Sequence, residues 1–236
     1  MSALRNAGLA MIAFLMAYPA ASQGDYVRLG SRIPHFPREY REMIKEVDPA
    51  DPVSVANAHQ AFTRCIAVNR AEKALPVIAM PLYGAEQVAA ITKLFDAPQG
   101  CLGENVSEMR VTAPLMIGGI TEAFIVNDPA TVATVEGLQE MDEGELAEIT
   151  GRTPIETMAI CSVRKNPKEA IALLKSGIRS AEERAAIQLI SADLGQCIPA
   201  GVEASFNLPS LRAIVASGVY LVALAEDSAS TSEIRK

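Results

Sequence analysis

Apolar residues recur along this chain with the spacing of helices. Ala74, Leu75, Val77 and Ile78 follow an i, i+1, i+3, i+4 pattern, and so do Ala170, Ile171, Leu173 and Leu174. Each set predicts a helix with one apolar face. The helix starts are marked as well. Asp51-Pro52 and Thr153-Pro154-Ile155-Glu156 place a capping side chain before a proline at the first helical position, the latter with the Glu of a capping box. Those openings predict the helices that carry Cys65 and Cys161. Gly84-Ala85-Glu86-Gln87 and Ser180-Ala181-Glu182-Glu183 open a further pair, expected to run to about Phe95 and Leu194. Pro114 and Pro209 open the last pair, which contains Gly118-Gly119 or Gly218. Glycine inside a helix costs about 1 kcal/mol against alanine, so tight helix packing is expected there. Residues 108–111 and 204–207 read as short strand or coil. The fold class expected is all-α.

These elements fall into two sets. Cys65 and Cys101 are 36 residues apart, and so are Cys161 and Cys197. Sliding the chain until Cys65 meets Cys161 puts Ala74 on Ala170, Glu86 on Glu182, and Ala89-Ala90-Ile91 on Ala185-Ala186-Ile187. Beyond the second cysteine a shift shorter by one residue serves better, with Pro114 on Pro209 and Gly118 on Ala213. The pattern predicts a tandem duplication of a roughly four-helix unit, over residues 51–126 and 153–226. A duplicated unit must carry its own bridge, which selects Cys65 with Cys101 and Cys161 with Cys197 among the possible pairings. No C-x-x-C and no His adjoins these cysteines, so metal and redox readings fit poorly.

The remaining segments frame the repeats. Residues 1–22 hold one charge, Arg5, before the apolar run 9–17, then Pro19 and the small residues Ala20, Ala21 and Ser22. This is the pattern of a secretory signal peptide. An N-terminal extension, 23–50, carries a short helix predicted at 38–47. Between the repeats, 127–152 reads as an acidic linker, with acids at 128, 136, 140, 142, 143, 145 and 148 and no Lys or Arg before 152. Residues 227–236 read as a disordered tail. The apolar run 213–225 is too short to cross a bilayer, so no span is expected in the mature chain. The localisation expected is periplasmic or secreted.

Composition narrows the chemistry. Among 236 residues the net charge is −7, which argues against nucleic acid as a partner. With only His35 and His59, most His-based metal sites and triads are excluded. There is no P-loop, dinucleotide fingerprint, nucleophile elbow, zinc-protease or haem motif, so neither cofactor nor metal is expected. Glu86 and Glu182 sit where a first-turn acid complements the helix dipole. Glu122, in an otherwise apolar helix, is the candidate catalytic residue, because a half-buried unpaired carboxyl marks sites. The function expected is a binding or structural module for a periplasmic protein or small molecule. A carboxylate-dependent hydrolase of envelope material centred on Glu122, or a carrier of an apolar ligand, stand as alternatives.

Three stretches carry a resemblance: Ala159-Ile160-Cys161-Ser162-Val163-Arg164-Lys165-Asn166-Pro167, Leu194-Gly195-Gln196-Cys197-Ile198-Pro199 and Leu211-Arg212-Ala213-Ile214-Val215-Ala216. With the paired cysteines, they make the chain similar, over about residues 55–225, to uncharacterised exported helical proteins of Gram-negative bacteria. The third stretch resembles an Arg-Gly-Ala-hydrophobic opening of the final helix in that group. Arg212 matches it, whereas the first unit has Ile117. The resemblance implies export and helical content.

Overall fold

Capping explains where the helices begin. The Asp51 carboxylate accepts from the N–H groups of Val53 and Ser54 and starts α1, Pro52–Asn69. The Thr153 hydroxyl accepts from Glu156 and starts α7, Pro154–Lys165. Ser180 does the same for α9, Ala181–Asp193, through Glu183. The computed structural model describes residues 26–30, 47–95, 101, 108–202 and 204–233. Residues 1–22, expected to be a signal peptide, His35 and most of the helix expected at 38–47 lie outside the described residues.

The protein is mostly helical, with two disulfides. After α1 come α2, Ala71–Ile78, α3, Ala85–Leu94, and α4, Ala113–Val126. After α7 come α8, Pro167–Lys175, α9, a 3₁₀ turn at Leu194–Cys197, and α10, Leu208–Glu233. Within each half the expected helices appear in the expected order. The stretch after Cys101 is a strand, β2, Glu108–Thr112, paired antiparallel with β1, Tyr26–Gly30, so that Val27 faces Val111. Residues 204–207 form no strand.

Two segments hold more helix than the sequence pattern predicts. The acidic stretch is not a bare connector: it holds α5, Pro129–Glu136, and α6, Glu143–Ala147. Asp128 and Asp142 cap these helices, while Val135 and Leu146 are buried in the core. Its acids at 128, 136, 140, 142, 145 and 148 are exposed, while Val132, Leu138, Met141 and Ile149 pack half-buried beside the two core residues. The tail is also ordered further than expected, since α10 continues to Glu233. Its stretch Leu208–Ser228 has the length and hydropathy to cross a membrane, which the apolar run alone did not suggest. Its most apolar window is 61% buried inside the protein, as the helix packs on α4 and α7.

The core is continuous through both halves. Phe62 on α1 packs against Phe95, with ring centroids 5.7 Å apart. One disulfide ties α1 to Cys101 and the other ties α7 to the 3₁₀ turn, with Cα separations of 5.6 and 5.4 Å. Leu75, expected in the apolar face of α2, is instead 41% exposed. The halves meet where α4 crosses α10. A methyl added to Gly118 would lie 2.3 Å from the Ala213 Cβ, and one added to Gly218 would lie 2.3 Å from the Ala159 carbonyl oxygen. Only glycine permits such approach, which realises the tight packing expected of these helices.

Candidate functional site

Three helices bring a charged cluster to the seam. Glu122 on α4, Arg212 on α10 and Glu183 on α9 are each buried. Arg212 grips Glu122 through two parallel bonds, Nε to Oε2 and Nη2 to Oε1, both 2.8 Å. Its Nη1 donates to Glu183 Oε1 at 2.7 Å. The remaining capacity goes to the Leu174 and Ser176 carbonyls and the Ser176 hydroxyl. Gln60 on α1 completes the cluster by donating to Glu122 Oε1 at 2.9 Å. Burial works against the guanidinium's charge, but the two carboxylates outweigh it and hold Arg212 above its ordinary range. Such planar, bidentate pairing is what arginine does and lysine cannot.

Glu183 stands three residues after its N-cap Ser180, where a capping-box acid would reach back to the Ser180 N–H. Its second oxygen accepts instead from the Arg179 N–H, while Gln87, its counterpart, accepts from the Tyr83 N–H at 2.7 Å. Glu156 likewise leaves its box. It accepts from Leu82 N–H at 2.8 Å and is held by Arg152, whose guanidinium also reaches the Ala79 and Met80 carbonyls. Burial alone would raise the Glu156 carboxyl; the Arg152 guanidinium and the two backbone N–H groups hold it below its usual range. Each acid therefore accepts from the N–H just before its own N-cap, Arg152 or Arg179, with one oxygen and reaches a distant partner, Leu82 or Arg212, with the other.

The structure places His59 and Glu122 on one small cleft of about 50 Å³, with Gln60, Thr63, Gly119 and Arg212. The His59 Nε2 is sealed from solvent and has no hydrogen-bond partner among the described residues. Burial drives this imidazole down to about 4, against the pull of the Glu122 carboxylate, so it is neutral near pH 7. Glu122 was expected to be unpaired. It is buried but paired, and both its oxygens accept from donors that would be stranded by its departure. Thr63 turns its hydroxyl to the Gln60 carbonyl and offers no activated nucleophile. Glu86 and Glu182 lie exposed in the first turns of α3 and α9, apart from this cluster. No group of three metal-ligating side chains occurs among the described residues.

A wider opening lies on the other side of the seam. The loop Leu82-Tyr83-Gly84, the start of α7 and residues Pro199, Val202 and 204–206 line a groove of about 520 Å³. Tyr83, Ile155, Met158, Val202 and Phe206 line it, and no described lining residue is charged. Tyr83 holds a left-handed φ of 57°, and its hydroxyl is buried beside Ser217. Sequence reasoning missed Arg212, Glu183 and this groove as a site. The signal available was Arg212, a lone cation opening an apolar helix.

Fold and site together define a disulfide-braced helical protein whose two halves are locked by buried ion pairs. The chain matches no protein-family model, no curated protein and no solved structure.

Proposed function

We propose that this protein is an exported scaffold made of two copies of one helical unit, and that it works as a periplasmic binding module rather than as an enzyme. The two disulfides fit an oxidising compartment, and the segment 1–22 has the composition of an export signal. The resemblance to exported helical proteins agrees with both. Local details that recur in the two halves support duplication. Tyr83 and Arg179, counterparts when the cysteines are aligned, adopt φ of 57° and 58°. Each donates its N–H to the side chain four residues on. Gly118 and Ala213, also counterparts, meet each other at the crossing of α4 and α10.

The observation that carries the binding role is the groove of about 520 Å³, walled by both halves and with no charge among its described lining residues. Ligand sites are commonly apolar, preformed clefts of this size with a few polar groups at the edge. The ionised groups of the seam, by contrast, are consumed by one another. A neutral solvatochromic dye such as Nile red tests the groove. It should bind in a saturable way and brighten, and Val202→Asp should weaken that binding about tenfold without changing the circular dichroism. Equal binding by the variant would exclude the groove. Export is tested by Edman sequencing of protein from a periplasmic fraction, which should begin within two residues of Gln23; an intact N-terminus in the cytosol would refute it.

A further inference from the structure

We propose that residues 204–206, with the groove beside them, accept an extended segment of a partner protein as an added strand. This rests on the duplication reading. In the front half, the stretch after the second cysteine is covered: β2 pairs with β1, with Val27 opposite Val111 and Leu29 opposite Met109. Aligned by the final helices, Phe206 takes the place of Val111, and Ala204 that of Met109. In the back half no strand among the described residues covers this stretch.

The difference is visible residue by residue. Val111 is buried and Met109 half-buried, whereas Phe206 is half-buried and Ala204 exposed. Ala204, Ser205 and Phe206 make no backbone hydrogen bond among the described residues. A run of free N–H and C=O groups along an apolar trough is the arrangement to which an extended peptide adds. Main-chain bonds supply affinity, and alternate side chains, all pointing to one face, fill the trough. With no charge among its described lining residues, the groove selects apolar side chains at alternate positions. In the front half, Val27 and Leu29 hold alternate positions of Tyr26–Gly30, in register with Val111 and Met109.

The probe is the synthetic peptide Gly24-Asp25-Tyr26-Val27-Arg28-Leu29-Gly30-Ser31, added to the ¹⁵N-labelled, disulfide-intact full chain. Amide resonances of Ala204, Ser205, Phe206 and Tyr83 should shift in a saturable way, and a scrambled peptide should leave them still. Successive N–H groups of a strand face opposite edges, so one of Ser205→Pro and Phe206→Pro should weaken binding about tenfold. No shift at low-millimolar peptide, shifts confined to β2, or equal response to the scrambled peptide would overturn the proposal. Concentration-dependent shifts at the same residues without peptide would also overturn it, by making a second copy the occupant. The duplication reading stands or falls separately, on whether the two halves superpose in a crystal structure.

Discussion

Replacing Arg212 with isoleucine, the residue its counterpart Ile117 supplies, perturbs the seam at one atom group. Arg212, Glu122 and Glu183 are 6%, 6% and 5% exposed. Loss of the guanidinium would strand two buried carboxylates and leave the Leu174 and Ser176 carbonyls without their donor. Breaking a buried ion pair by removing one partner costs about 3–5 kcal/mol, a large share of the roughly 5–15 kcal/mol that holds a domain folded. Under the repeat alignment the equivalent positions are Ile117 and Gln87 in the front half and Ser217 in the back half, with no ionisable side chain among them. The triple variant Arg212→Ile, Glu183→Gln, Glu122→Ser therefore removes every stranded charge at once and should recover most of the loss. Equilibrium urea unfolding, followed by circular dichroism with the disulfides intact, reads both changes as shifts in midpoint. A single variant within about 1 kcal/mol of the parent would refute the reasoning, and so would a triple variant no more stable than the single.

Three further outcomes are expected. Gly118→Ala and Gly218→Ala should each cost about 1–3 kcal/mol or more in the same assay, because backbone or a bonded Cβ stands 2.3 Å from the new methyl; Gly195→Ala, with nothing within 4 Å, should not. Replacing either cysteine pair by alanine removes a 36-residue closed loop, worth about 4 kcal/mol in the chain-entropy account, and should lower the urea midpoint. His59 is held at about 4 when folded against 6.5 when free, so its neutral burial is fully tolerated above pH 6.5 and opposes folding increasingly as pH falls toward 4. His59→Gln should flatten that decline by up to about 3 kcal/mol, measured as unfolding free energy against pH; an unchanged slope would contradict the burial of this imidazole.

Local chemistry made the helical plan legible. The caps at Asp51, Thr153 and Ser180 and the prolines after two of them depend on neighbours in the chain, and they act where they were read. The tight glycine packing was also legible, since Gly118 and Gly218 have no other reason to interrupt apolar helices. What stayed hidden depends on distant residues. Arg212 and Glu122 are 90 positions apart, and Glu156 and Leu82 are 74 apart. A helix-start rule that sends Glu156 or Glu183 back to its own cap has no means of weighing those rivals. The linker misled for a different reason: seven acids suggested a solvated stretch, while Val135 and Leu146, with Val132, Leu138, Met141 and Ile149 beside them, pack it on the core. Leu75 fits the apolar spacing of α2 yet faces outward, because the core there is filled by Ala74, Val77 and Ile78.

The single charged cluster also governs which assemblies the chain avoids. Glu122 of the front half finds its guanidinium only in the back half, and the front half's own candidate position holds Ile117. Two front halves from different molecules, brought together through the same helix crossing, would trap two anions against isoleucine with no cation in reach. Like-with-like pairing between chains is therefore disfavoured on nascent or partly unfolded protein, whereas a front half remains complementary to a back half.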